Sequence, residues 1–472
     1  MSSFFSQDPA TDKIIWQGKE VTRDEIKEAL AKAKKAQLYW IKRTFEERAA
    51  ICWKFATLLD QSFAETISKE MGKPLWDSLS EVQAMKNKIE ISIQAYHERC
   101  PERQHKLPQG QSVTYHKPHG IVAVFGPFNF PGHLPNGHIV PALLAGNAIL
   151  FKPSELTPKV GEEMGRLWKE AGLPENVLQV LQGGKQTGQM LTAEKDIRGI
   201  FFTGSYAAGR AILEASLPFP DRIVALEMGG NNPLIISKIA NPNATVFQTI
   251  QSVFITSGQR CSASRRLILI ESAKSNEFLN LLIKTTKELI IGPSTLRPEP
   301  YMGPVVSAKA ASHIMKQYNE LITLGCNPIL PMQRFGEDSA FLSPSIVDVT
   351  GNDVPDVEIF GPLLQLIRVK NLGQAIKVAN NTAYGLTAGI ISTDESEYKR
   401  VQDEVRAGVI NWNMPTTGAS SFAPFGGLGL SGNFRPAGYY AADYCSYPVA
   451  ASEAEQSLLP EKLPSGYPIC LK

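Results

Sequence analysis

Apolar residues recur at helical spacing through the first hundred positions or so. Thr22 followed by Glu25 has the form of a capping box, and Ile26, Leu30, Ala33 and Gln37 then fall on one face. Phe55, Leu58, Leu59 and Phe63 make a second apolar stripe, which Met71-Gly72-Lys73-Pro74 breaks. The pattern predicts a helical packing layer. The period then changes. Residues 111–115, Gln-Ser-Val-Thr-Tyr, alternate and predict a strand that stands apart from the α/β series after it, an arm suited to pairing with another subunit. Short apolar runs at 121–125, 148–151, 177–181, 200–202 and 223–226 are separated by helical stretches, among them 133–145 and 161–171. Five such strands alternating with helices predict a doubly wound parallel sheet of dinucleotide-binding type.

A second α/β series starts at 234–237. A helix over 244–256 leads to Cys261, a strand at 267–270 comes next, and the series runs on to 408–412. With 472 residues the chain exceeds what one core usually organises, so two lobes with a cleft between them are expected. Residues 439–448 are aromatic and β-prone, and are expected to pair with the arm near Val113. No internal repeat or low-complexity segment interrupts this plan.

Composition narrows the function class. Lys and Arg number 48 against 46 Asp and Glu, so the net charge is 48 − 46 = +2, and there is no basic tract. Neither nucleic acid nor an anionic membrane is implied as a partner. The opening Met1-Ser2-Ser3-Phe4-Phe5 lacks a basic flank and an apolar run, so no secretory signal is read there. No 18-residue apolar stretch occurs. The six cysteines, at 52, 100, 261, 326, 445 and 470, form no CxxC pair, so neither a metal site nor a disulfide framework is expected, and a reducing cytoplasm fits.

One cysteine stands apart. Gly258-Gln259-Arg260-Cys261-Ser262 places a thiol in a polar turn between a helix and a strand. A lone cysteine is commonly a small core residue, but these flanks are unlike a core strand, and Arg260 and Arg265 would favour a thiolate if they lie beside it. Glu227 ends the fifth strand, before Gly229-Gly230, where a carboxylate serves either as a general base or as a solvated surface group. Asn129 follows the first strand between prolines and aromatics, as a turn former or an oxyanion donor. Lys152 and Glu155 follow the second strand. An acid there accepts from ribose hydroxyls and repels a 2′-phosphate, which favours NAD over NADP. Gly204 to Gly209 opens the next helix, where backbone N–H groups meet a pyrophosphate or simply turn the chain.

Together these segments resemble the aldehyde dehydrogenase superfamily over nearly the whole chain. Pro127-Phe-Asn-Phe-Pro131, Phe151-Lys-Pro-Ser154, Phe202-Thr-Gly-Ser205, Leu226-Glu-Met-Gly-Gly230, Gly258-Gln-Arg-Cys261, Glu358-Ile-Phe-Gly-Pro362 and Pro424-Phe-Gly-Gly427 occur in that family's order. Phe128 departs from it where tryptophan is common, and Phe434 where histidine is more usual. The resemblance implies an aldehyde dehydrogenase-like α/β fold, with two doubly wound lobes and a small β oligomerisation arm. Its divisions would be an NAD-binding domain at 1–106 and 119–229, a catalytic domain at 230–430, and an arm and tail at 107–118 and 439–472. It implies Cys261 as nucleophile, Asn129 as oxyanion donor with the Cys261 N–H, and Glu227 as the base for thioester hydrolysis rather than transfer to coenzyme A. NAD would be held by Lys152, Ser154, Glu155, Gly204, Ser205 and Gly209, with Glu358 on the nicotinamide ribose and Phe360 beside the ring. Within the superfamily, the stretch from Asn129 to His138 and Arg260 beside the cysteine point to a small aldehyde that carries carboxylates. Arg260 and His133 are its first binding candidates. Arg435 is another, equally readable as a structural ion pair, and the Ser420-Ser421 loop is a further one. A homodimer or higher homo-oligomer is expected.

Overall fold

A computed structural model describes residues 3–457, 459–460 and 462–468. The helical layer forms as the periodicity predicts, as four helices: Arg23–Trp40, Phe45–Leu58, Gln61–Met71 and Leu75–Arg99. Thr22 does cap the first. Its hydroxyl accepts from the Glu25 N–H, and the Glu25 carboxylate accepts from the Thr22 N–H at 2.7 Å. Ile26, Leu30 and Ala33 are buried. The stripe from Phe55 to Phe63 belongs to two helices rather than one, because Asp60 leaves helical geometry and caps the second through the Phe63 N–H. Phe55 stacks on Trp168 with centroids 3.9 Å apart, which fastens this layer to the first lobe.

The five apolar runs pair in one parallel sheet. Its spatial order is Leu178–Val180, Ala148–Lys152, Ile121–Phe125, Gly199–Gly204, Ile223–Met228. The chain winds outward one way from Ile121–Phe125, then returns to build the other side. This leaves a switch point beyond the carboxyl ends of that strand and of Gly199–Gly204, where open α/β sheets bind ligands. The second sheet has seven strands, ordered Asn327–Leu330, Ser345–Asp348, Leu363–Val369, Ser264–Ile270, Asn232–Ile236, Thr387–Ile391, Val409–Trp412, and only the first pair is antiparallel. Ile223–Met228 in one sheet passes almost directly into Asn232–Ile236 in the other, so Glu227 sits where the two sheets are joined.

The arm pairs as expected but starts later. Ser446–Glu453 runs antiparallel to Gln111–Pro118, with Ala451 opposite Val113, and Arg103–Lys106 forms the exposed outer strand. The first part of the stretch expected to be β is instead the short helix Ala441–Cys445, which buries Tyr444 and Cys445 against helix His133–Ala145. An N-terminal hairpin, Ser3–Gln7 with Ile14–Lys19, is an element the periodicity did not signal. The end of the expected tail, residues 469–472 with Cys470, lies outside the described residues, as do Met1 and Ser2. Among the described residues no helix is long and apolar enough to cross a membrane.

Candidate active site

The cysteine loop is held in an uncommon backbone shape. After helix Pro242–Val253, Thr256 and Ser257 both take left-handed φ, 56° and 54°. A β-branched residue rarely does so, and side-chain anchors hold the shape. The Thr256 hydroxyl donates to Asp77 Oδ2 at 2.5 Å, and the Ser257 hydroxyl donates to the Gly303 carbonyl at 2.7 Å. Gly258 has φ +70°, and an added Cβ would lie 2.2 Å from the Gly361 carbonyl, so a side chain there would displace backbone. Arg265 is fully buried. One guanidinium nitrogen donates to the Gly258 carbonyl at 2.6 Å and another to the Arg260 carbonyl at 2.9 Å. That fork clamps the turn just before Cys261, whose side chain keeps partial exposure.

The other two central groups converge on this turn. Asn129 is buried, and its amide donates to the Gln259 carbonyl at 2.9 Å. An asparagine amide has two N–H bonds, so a second donor remains. Glu227 is also buried. Its Oε1 accepts from the Ala437 N–H at 3.1 Å, and its Oε2 has no partner among the described residues. Burial holds this carboxyl well above the usual carboxylate range. The Cys261 thiol is pushed up to about 12, first by burial, then by the charges of Glu358 and Glu227, with Arg265 opposing. Both carboxyls are thus within electrostatic reach of the sulfur.

The two arginines that would favour a thiolate if they lay beside it divide here. Arg265 does favour the thiolate, but burial and two carboxylates outweigh it. Arg260 is committed elsewhere: it donates to Asp77 Oδ1 and to the Thr256 hydroxyl, each at 2.8 Å, and its guanidinium lies 4.8 Å over the Phe130 ring. His133 meets the same ring edge-on. It is pushed down to about 4, chiefly by burial and also by Lys88, Lys73 and Arg260, and its Nδ1 has no partner among the described residues. Arg260, Phe130 and His133 are therefore brought together. Arg435 is not part of that group. It is exposed, donates to the Phe434 carbonyl at 3.1 Å, and lines a separate cavity of about 200 Å³ that reaches Glu227.

The expected cofactor residues border the switch point. Lys152 ends its strand, buried, with its ammonium 3.0 Å from the Pro153 carbonyl and 3.5 Å from the exposed Glu155 carboxylate. The Ser154 hydroxyl accepts from the Leu156 N–H at 3.2 Å, and Ser205 caps helix Tyr206–Ser216 immediately after Gly204. Gly209 is different. It faces the sheet, where a Cβ would sit 2.5 Å from Met228 Sδ, so close helix–sheet packing calls for a glycine there. Glu358 accepts from the Gly230 N–H at 3.2 Å and lies 3.7 Å from Arg265, and a Cβ on Gly229 would fall 1.8 Å from its Oε2. Phe360 packs edge-on to Phe128, with Arg265 above its ring. A lysine–carboxylate pair at a strand end, a capped helix start, and a partly buried carboxylate with acceptor capacity to spare fit the diols and phosphates of a dinucleotide.

Sequence reasoning missed Asp77, the buried partner of Arg260, and a buried chain in which His138 Nδ1 meets the Tyr444 hydroxyl at 2.7 Å and Nε2 meets the Thr203 hydroxyl at 3.2 Å. No local signal marks them, since their partners lie 65 or more residues away.

Two lobes of this topology, with a thiol, an amide and a carboxyl gathered where they join, define the class. The chain belongs to the aldehyde dehydrogenase family, whose model matches residues 2–449. Its similarity extends to particular members. It is 47% identical over 468 residues, 98% of this chain and 95% of the relative, to the N-succinylglutamate 5-semialdehyde dehydrogenase of Salmonella gallinarum. The protein of that name from Salmonella enteritidis is 47% identical, with 97% of this chain and 94% of the relative covered. Among solved structures, a 1-pyrroline-5-carboxylate dehydrogenase from Thermus with bound NAD superposes with a TM-score of 0.90 at 28% identity, covering 96% of this chain and 90% of that one. A glyceraldehyde-3-phosphate dehydrogenase from Methanocaldococcus jannaschii, complexed with NADP, gives 0.89 at 26%, covering 95% and 99%.

Proposed function

We propose that this chain oxidises N-succinylglutamate 5-semialdehyde to N-succinylglutamate with NAD, a step of arginine catabolism, in the cytoplasm. The observation that carries the chemistry is the convergence on Cys261: an Asn129 amide bonded two residues before it, and Glu227 with one carboxyl oxygen unpartnered. The substrate rests on 47% identity across nearly the full length of relatives with that name. Cys261 attacks the aldehyde carbon, and the spare Asn129 N–H with the Cys261 backbone N–H receives the oxyanion. A bound NAD would supply the acceptor for the hydride of the aldehyde carbon. Lys152, Ser154 and Glu155 would hold its adenosine end, Gly204 and Ser205 its phosphates, and Glu358 and Phe360 its nicotinamide end. Glu227, in its ionised form, then takes a proton from the water that hydrolyses the thioester, and the burial that raises its pKa makes that carboxylate the stronger base. Arg260, His133 and Phe130 form the wall that meets the substrate's carboxylates, with Arg435 further out. The arm is assigned to pairing with a second subunit.

The test is kcat/KM with NAD for N-succinylglutamate 5-semialdehyde against free glutamate semialdehyde. A preference of ~100-fold or more, about 2.7 kcal/mol of transition-state discrimination, is expected if the pocket reads the succinyl carboxylate. Comparable values would keep the chemistry and transfer the substrate assignment to glutamate semialdehyde or another acidic aldehyde.

A further inference from the structure

Lys88 is a buried lysine that the chemistry above does not use. It lies on helix Leu75–Arg99, is 2% exposed, and forms no ion pair among the described residues. Its ammonium donates to one group, the Gly438 carbonyl, at 2.6 Å. Taking an ammonium out of water without a carboxylate is costly, and burial pulls this one down to about 8. An apolar side chain of similar length would fill the space at lower cost, so stability alone does not call for a lysine.

The carbonyl it holds belongs to a two-residue strand with a second function. Ala437–Gly438 pairs antiparallel with Pro424–Phe425, and the Ala437 N–H gives the one hydrogen bond that the Glu227 carboxyl receives among the described residues. Gly438 has φ +67°, and a Cβ there would meet the Ala423 carbonyl at 2.4 Å, so the segment is threaded closely through its surroundings. Lys88 and Glu227 therefore grip the same short strand, one by its carbonyl and the other by the N–H of the preceding residue.

We infer that Lys88 is a positioning residue for Glu227: it fixes the Ala437–Gly438 segment, and that segment fixes which way the Glu227 carboxyl faces the acyl-cysteine. The inference rests on Glu227 being the base for thioester hydrolysis. It concerns deacylation only, since Cys261 and Asn129 are held by a different set of contacts.

The experiment compares Lys88→Met with Glu227→Gln and the double variant, by stopped-flow NADH formation and steady-state kinetics. Lys88→Met should keep a burst of one NADH per active site and keep kcat/KM within about threefold. Its kcat should fall tenfold or more, with KM falling in parallel, because kcat/KM reports acylation and a slowed second step lowers both constants together. Adding Lys88→Met to Glu227→Gln should change turnover little, as expected of two groups acting through one. An unchanged kcat, a burst lost along with turnover, or multiplicative effects in the double variant would each overturn the inference. If Lys88→Met does not fold, as judged by thermal unfolding, Lys88→Leu, which also lacks a donor for the Gly438 carbonyl, is the measured variant: a lowered kcat at preserved kcat/KM supports the inference, and a wild-type kcat overturns it. Failure of the underlying reading looks different. Glu227→Gln alone would then turn over like the wild type or lose its burst, which removes the base and this inference with it.

Discussion

The raised Cys261 thiol gives a direct test of the resting site. A value of about 12 against an ordinary 9 disfavours the thiolate by about 4 kcal/mol. At pH 8 an ordinary thiol of this kind is roughly a tenth ionised, and one at about 12 only about one part in ten thousand, a deficit of roughly 900-fold. The more basic thiolate is the better nucleophile. With a Brønsted coefficient of about 0.4–0.5, it regains roughly 15- to 30-fold. The net expectation is a reaction with a small neutral disulfide, such as dithiodipyridine, about 30- to 60-fold slower than for an unperturbed thiol. The rate should also climb about tenfold per pH unit from 7 to 10 without levelling. The assay is thiopyridone release, with Cys261→Ser as the blank for the other cysteines. Glu358→Gln can still accept the Gly230 N–H through its amide oxygen while removing the charge that opposes the thiolate most, so it should speed the reaction at fixed pH. A plateau with a midpoint below about 9, or slowing by Glu358→Gln, would refute the claim that burial and Glu358 together outweigh Arg265.

Arg260→Ala strips the partner from Asp77, which is fully buried, and should destabilise the protein by about 3–5 kcal/mol in thermal or urea unfolding; adding Asp77→Asn should recover much of that loss. A fall in substrate affinity must therefore be measured on the folded fraction. Gly258→Ala forces an alanine to φ +70° and a Cβ toward the Gly361 carbonyl, so a loss of at least about 2 kcal/mol is expected in urea unfolding, together with changed disulfide reactivity at Cys261. His133 and His138 are held below the ordinary 6.5, at about 4 and about 3, so the unfolded chain binds more protons between those limits. The stability they contribute is complete above pH 6.5 and falls by up to about 1.4 kcal/mol per histidine per pH unit as pH drops toward the folded values. His138→Asn should flatten the loss of unfolding free energy between pH 6.5 and 4.5, and an unchanged slope would contradict this.

What the sequence made legible was mostly local. Thr22 and Glu25 announce a helix because the capping box is closed within four residues, and the apolar runs announce a parallel sheet because its central strands, such as Ile121–Phe125 and Ala148–Lys152, are buried on both faces. Legibility failed where a short element's state is set by distant partners. Residues 439–445 have the aromatic content of a strand, yet Tyr444 finds its hydroxyl's partner on His138 and folds as a helical turn to reach it. Asp60 could have divided the Phe55–Phe63 stripe, since aspartate is a favoured N-cap residue ahead of a helical run, but the apolar period ran across it.

At the site the division is similar. Motif order placed Cys261, Asn129 and Glu227 together, and in the structure the Asn129 amide bonds the cysteine turn while Glu227 lies within electrostatic reach of the sulfur. It was blind to sign. Arg260 and Arg265 both flank the cysteine in sequence, and sequence cannot say which one faces it. The strand that begins at Ser264 carries Arg265 back under the turn, where it clamps two carbonyls and leans on Glu358. Arg260 points the other way, to a carboxylate on a helix 183 residues distant. That one residue, Asp77, also anchors Thr256 in its left-handed conformation. The loop's shape, the orientation of Arg260 and the wall proposed to face the substrate thus share a single buried carboxylate, so a substitution that tests that proposal through Arg260 also perturbs the backbone that carries Cys261.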